Sequence, residues 1–289
     1  MLDLVRLTPR PLPPSGGPEH YRQLAHLAGL KAGEDLLAVP CGSGASVELL
    51  VREQGAQGSG VDPDLGLVEE ARRRAKAEDL EDRLQYEAAS PDNLPYRDEV
   101  FDVVIGEVGL TAGVAAAEAA RELVRVTRPG GRVILVQPVW RGAVDAERRR
   151  RVSEQMGVHT LLLTEWKAVL REAGLEQLHS ESWSGEGPGG GTLPFPDFVD
   201  LLGVREKIAV VRRAWSRWGA RGVYRALVRE AEVHQLLRRE RLLGVSLMLG
   251  TRTAVAMETE GLPGISGSDP TWEGPGPAPQ GTASPSLGM

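Results

Sequence analysis

Cysteine is almost absent: Cys41 is the only one in 289 residues. That excludes an intrachain disulfide and any multi-cysteine zinc site, and makes a reducing cytoplasm the expected compartment. Histidine is sparse too. His20, His26, His159, His179 and His234 show no metal-ligand spacing, so no metal is expected. No apolar run approaches the roughly 18–20 residues that a membrane-spanning helix needs, so no integral membrane segment is expected. The opening MLDLVRLTPRPLPPSGG has no long apolar stretch after its first basic residue and does not read as a secretory signal. Positive charge is also in deficit. A formal net charge of −6 argues against nucleic acid as a partner, because such binding rests on neutralising phosphates with Lys and Arg. What is present, 41% hydrophobic and 26% charged residues, matches an ordinary globular chain.

The two ends differ from the middle. Residues 1–18 read as an extended leader, rich in Pro and Gly from residue 8 onward. Residues 259–289 read as a disordered tail: from Gly261, Gly, Pro and Ser make up 17 of 29 residues, too little apolar surface to offset ordering entropy. Trp272 is the one residue there suited to docking. Between them, over 19–258, short apolar runs alternate with helical patterns. The strand-like runs are Leu36–Val39, Gly58–Val61, Leu84–Glu87, Phe101–Ile105 and Arg132–Gln137, and the helical stretches are Ala45–Glu53, Leu65–Ala77 and Val114–Val126. This alternation predicts a doubly wound, mostly parallel α/β sheet. Thr164–Ala173 reads as a further helix capped by Thr164.

Leu175–Trp183 and Gly244–Met257 read as strands that flank a helical insertion at about 195–241. From Asp197 to Arg241 there are 11 Lys plus Arg against 6 Asp plus Glu, with Trp215, Trp218 and Tyr224 among them. The favoured reading is an amphipathic helix pair whose aromatic residues pack on the sheet. The alternatives are a pocket for an acidic or aromatic acceptor and an interfacial helix. The run Arg148–Arg151 points around a helix rather than to one side, so it forms no single anion patch.

The segment that carries chemistry is EDLLAVPCGSG, Glu34–Gly44, leading into a helix. A strand that ends in Gly-x-Gly lets backbone approach a ligand closely and aims free helix N–H groups at it. Asp62 closes the next strand in GSGVDPD, where a carboxylate can accept ribose hydroxyl hydrogens. Together these point to an adenosine-containing cofactor. A nicotinamide dinucleotide fold would need a third glycine where Val47 stands. Cys41, beside the helix N-terminus, reads as a structural thiol rather than a nucleophile.

In order, the pieces AVPCGSG, GVDPDLGLVEEARRRA, NLPYRDEVFDVVIGEVGL, ARELVRVTRPGGRVILV and LREAGL resemble the class I S-adenosylmethionine-dependent methyltransferases, in the branch acting on small molecules. The resemblance implies a seven-stranded Rossmann-like sheet, with the insertion before the last strand, and S-adenosylmethionine as cofactor. It implies cofactor contacts from the loop residues Pro40, Gly42 and Gly44. Asp62 would sit at the ribose, Pro63 and Asp64 under the adenine, and Ser90 at the adenine amino group. Glu107, at the end of the fourth strand, would lie where cofactor and acceptor meet and would orient or deprotonate the acceptor. His20 and Tyr21 are the candidate acceptor contacts, with a solvent-facing His20 as the competing reading.

Ala38 stands where family members usually have an acidic residue, Pro40 where they have glycine, and Ser90 where they have Asp. Methyl transfer to a small-molecule acceptor is therefore weighed against a fold that has lost catalysis and serves as a binding or regulatory module. The acceptor atom and the oligomeric state are left open.

Overall fold

The computed structural model describes residues 18–142, 144–183, 185–186, 192–193, 204–235, 240 and 242–253. The leader up to residue 17 and the tail with Trp272 lie outside the described residues. A unit of Met1–Ala254 is distinct from a second, Val255–Met289.

The chain opens with helix α1 (Pro18–Ala28) and then alternates: β1 (Asp35–Val39), α2 (Ala45–Gln54), β2 (Gln57–Asp62), α3 (Leu65–Ala77), β3 (Leu84–Ala88) and β4 (Phe101–Gly106). It continues through α4 (Ala116–Val126), β5 (Thr127–Trp140), α5 (Ala146–Met156), β6 (Leu161–Leu162), α6 (Leu163–Glu172) and β7 (Leu175–Ser182). The short hairpin of β8 (Gly185–Glu186) and β9 (Thr192–Leu193), helix α7 (Val204–His234) and β10 (Leu243–Arg252) complete it.

The sheet has the seven strands expected, here in the order β3-β2-β1-β4-β5-β10-β7, and the two-residue β6 adds a parallel rung beside Val139 and Trp140. β1 is parallel to β2 on one side and to β4 on the other, which makes its carboxyl end the switch point of the sheet. Both faces are covered. Leu36 and Ala38 face Tyr21 and Leu24 of α1, Val47 and Leu50 of α2 and Val68 of α3, whereas Leu37 and Val39 face Ala120 and Leu123 of α4 and Trp166 of α6. This explains why the strands read as unbroken apolar runs instead of alternating. Each fully buried side chain such as Ile105 or Leu135 contributes about 1.5–3 kcal/mol.

Three boundaries differ from expectation. β5 starts at Thr127, because Thr127 already pairs with Phe101 of β4, and a register shift between Phe101 and Val103 takes up Arg-Pro-Gly-Gly, with Gly130 at φ 76°. α6 starts at Leu163, so Thr164 is not its cap; the Leu162 N–H at the cap position donates instead to the Glu165 carboxylate at 2.7 Å. Tyr224 and Trp215, expected against the sheet, are 70% and 58% exposed. The reason is that α7 breaks at Gly219 (φ 66°) and buries Val210 and Ala214 against Val223 and Ala226 in a small cluster of its own.

The strands flanking the insertion do pair. β10 runs antiparallel to both β5 and β7. At its end Arg252 donates to the carbonyls of Val124 (3.1 Å), Arg125 (3.0 Å) and Thr127, and to the Glu99 carboxylate at 2.8 Å. The arginine run of α5 disperses as expected: Arg148 pairs with Glu240, Arg149 with Glu165 and Arg150 with Glu154.

Candidate active site

The Gly-x-Gly loop is held by backbone. Cys41 N–H donates to Val61 O at 2.8 Å, which fastens the loop to the end of β2, and the Val39–Pro40 peptide is cis. Asp62 is 1% exposed and its two oxygens are divided: Oδ2 accepts from Gly42 N–H at 3.0 Å and Oδ1 from Asp64 N–H at 2.9 Å. Asp64 in turn caps α3, accepting from Gly66 N–H at 2.9 Å.

Gly44 (φ 80°) caps α2 with no side-chain bond, and a Cβ there would lie 2.6 Å from Tyr86 Oη, so only glycine fits. Gly42 (φ 57°) has open space where its Cβ would stand. The result is a cradle with uncapped helix N–H groups at one end and a buried carboxylate at the other, fit for a zwitterionic adenosine derivative.

A second cluster adjoins it. Glu107 directly follows β4, and its N–H donates to Val39 O at 2.7 Å. Its carboxylate accepts from Tyr21 Oη of α1 at 2.9 Å and from Ser46 Oγ of α2 at 2.5 Å. Gln137 of β5 locks the bend, donating to Gly106 O at 3.0 Å and Glu107 O at 2.7 Å. Burial raises the Glu107 pKa to about 7, assisted by the Asp62 charge and opposed by the Ser46 and Tyr21 hydrogen bonds. Burial and the Glu107 charge likewise push the Tyr21 phenol well above its usual range.

Ala38 pairs with Ile105 across the β1–β4 ladder, and both side chains enter the cluster that contains Tyr21. Residue 107, two further along, turns to that same face. A carboxylate at position 38 would therefore stand one step below Glu107, on the same side of the sheet.

The structure brings Glu107 and Tyr21 together and places Pro40, Gly42, Gly44, Asp62, Pro63 and Asp64 around one loop. Ser90 follows Ala89, whose N–H donates to Asp62 O at 3.3 Å, and its hydroxyl turns to the Asp92 carboxylate. His20 is not solvent-facing: it is buried, with its ring 5.0 Å from that of Trp183. Cys41 is buried, and desolvation with the nearby Asp62 and Glu107 charges pushes its thiol up, which fits a structural role. Ser46, Gln137 and Trp183 were not anticipated. A cleft of about 710 Å³ opens on the loop after β4, between Thr111, Val114, Arg149, Ser153, His159 and Thr160. Among the described residues no group of His, Cys, Asp and Glu is placed to hold a metal, and no helix is long and apolar enough to cross a membrane.

The family model described as a methyltransferase domain matches residues 37–135. Methyltransferase GfsG of Streptomyces halstedii is 30% identical over 206 residues, covering 69% of this chain and 74% of that protein. The chain belongs to the class I S-adenosylmethionine-dependent methyltransferases. The 27-O-demethylrifamycin SV methyltransferase of Amycolatopsis mediterranei is 36% identical over 167 residues, 56% of this methyltransferase and 61% of that one. In fold the methyltransferase resembles the [4+2]-cyclase SpnF, with a TM-score of 0.66 at 22% identity, covering 82% of this chain and 81% of that one. It also resembles phosphoethanolamine N-methyltransferase 2 of Haemonchus contortus in complex with S-adenosyl-L-methionine, with a TM-score of 0.63 at 16% identity over 83% and 54% of the two chains. S-adenosylmethionine is its cofactor.

Proposed function

We propose that this methyltransferase methylates a hydroxyl oxygen on a small-molecule acceptor, with Glu107 as the base. The observation that carries the reading is the buried carboxylate at the carboxyl end of β4, held between two hydroxyl donors with its pKa at about 7. A base is most effective when its pKa lies near the working pH. Two donors also stabilise the anion, so Glu107 can shed a proton without leaving its position. The relative named for 27-O-demethylrifamycin SV, an acceptor methylated at oxygen, supports the same class.

In this reading Pro40, Gly42 and Gly44 line the methionine end, Asp62 takes the ribose hydroxyls, Pro63 and Asp64 lie under the adenine, and Ser90 with Asp92 flanks its edge. S-adenosylmethionine supplies a methyl group already activated on a sulfonium, so the protein's work is positioning, dryness and one proton. Glu107 accepts the acceptor's hydroxyl proton, and Tyr21 and Ser46 hold its two oxygens in place. Tyr21 and His20 of α1 close the acceptor side.

A second reading, a fold kept without turnover, draws on Ala38, Pro40 and Ser90. One assay separates the two: incubation with S-adenosylmethionine and a panel of macrocyclic alcohols, phenols, amines and carboxylates, reading S-adenosylhomocysteine and product mass. Product on an alcohol or phenol, with a rate that rises through about pH 7, supports the proposal. Cofactor binding without product on any acceptor supports the second reading, and product on amines alone overturns the oxygen assignment.

A further inference from the structure

Helix α7 carries an exposed surface outside the Gly-x-Gly cradle and the Glu107 cluster. Within Val204–His234 there are eight Lys plus Arg against three Asp plus Glu, in a chain whose net charge is −6. Ile208, Trp215, Tyr224, Leu227 and Val228 project into solvent from it, at 44–70% exposure. Ile208 and Trp215 stand two turns apart, and Tyr224, Leu227 and Val228 share one face at i, i+3 and i+4. Arg205, Arg212, Arg221 and Arg225 are exposed alongside them. Among the described residues these four make no ion pair, whereas Arg22, Arg74, Arg125, Arg128 and Arg132 of the body are all matched with carboxylates.

We infer that α7 docks the enzyme on an anionic lipid surface. The charge is opposite in sign to that of the whole chain, and the exposed guanidinium groups of Arg205, Arg212, Arg221 and Arg225 stand where lipid phosphates could meet them. A Trp and a Tyr among the apolar tips suit the headgroup level, where amphipathic rings concentrate. Clustered Lys and Arg beside outward aromatic and aliphatic side chains match the make-up of helices that lie on anionic lipid. The small residues that fill the seam of α7 leave the larger apolar residues outward, so no rearrangement is needed to present them.

The test uses the full chain with vesicles of phosphatidylcholine alone, or with about one-third phosphatidylglycerol, at about 50 and 500 mM salt. Flotation should recover the protein with the anionic vesicles at low salt, and binding should weaken at least about tenfold at high salt and on the neutral vesicles. The triple variant Arg212→Gln, Arg221→Gln, Arg225→Gln should lose at least about tenfold in partitioning. Trp215→Phe should remove part of the fluorescence quenching by lipids with brominated acyl chains. These side chains are exposed, so both variants should melt with the parent and bind S-adenosylmethionine equally. No recovery with anionic vesicles at low salt overturns the proposal, as does equal binding by the triple variant. A dimer in solution that Trp215→Ser breaks, without lipid binding, overturns it in favour of a second copy of the chain.

Discussion

Around the Gly-x-Gly loop, buried charge is answered by nearby groups: Asp62 by two backbone N–H donors, Glu107 by two hydroxyls. Along α7 the arrangement is reversed: among the described residues Arg205, Arg212, Arg221 and Arg225 lie exposed in no ion pair, around a core of four small side chains. The first region spends folding energy on holding a few atoms still. The second keeps little of its surface for itself, so changes there should alter what the protein meets rather than whether it folds. The cofactor end is thus fixed by backbone and burial, and the insertion is where partners can be chosen.

The contrast can be broken most severely at Glu107. Glu107→Gln should lower the transfer rate by about 10²–10⁴-fold while S-adenosylmethionine affinity, read by calorimetry, stays within a few-fold. A variant that keeps its rate would show that Glu107 only supports the fold. The same substitution has a stability signature. The folded pKa of Glu107 is raised from 4.5 to about 7, so the stability of its protonated form is complete below about 4.5 and is lost as pH climbs through about 7. Between pH 4 and pH 8, chemical denaturation should shift in favour of the glutamine variant by about 3 kcal/mol, and parallel pH curves would refute a buried titrating carboxylate.

Next in size is Asp62→Ala, expected to weaken S-adenosylmethionine about 10- to 150-fold, the worth of hydrogen bonds to a charged group. Unchanged affinity would leave Asp62 as no more than a brace for the loop. Ala38→Asp with Pro40→Gly sharpens the question of lost catalysis. A new carboxylate on the face of Glu107 adds like charge, so cofactor affinity should not improve and the pH–rate profile should move upward. A gain of about tenfold in affinity would show instead that the site has decayed. The smallest effect belongs to α7: Leu227→Ser should change stability by no more than about 0.5 kcal/mol, against about 2–5 kcal/mol for Leu135→Ala in the sheet. Comparable losses would dissolve the distinction between the two regions.

The legible parts share a reason. Strands buried on both faces and helices ended by glycine are local patterns, and the helical stretch Leu65–Ala77 of the sequence coincides with α3 at both ends. The cradle was legible because glycine pairs and a strand-terminal aspartate have few other uses. Ser46 gave no signal, because a serine in the first turn of a helix looks the same whether it caps or reaches for a carboxylate. His20 and Trp183 are far apart in the sequence, and the seating of Trp183 beside Val245 of β10 brings the second onto the first. The seating of Trp215 and Tyr224 was misjudged because helical periodicity marks an apolar face without saying what lies opposite it. Here the partner of each half is the other half.

Arg252 has a consequence for how such a chain can change over time. By closing the carbonyl end of α4 it gives the last strand a fixed berth, independent of the route taken between β7 and β10. The contacts of Arg252 lie outside the stretch between β7 and β10, so a change of length there leaves the groups that seat the last strand in place. New acceptors or new surroundings can be sampled there without retooling the part that holds the methyl donor.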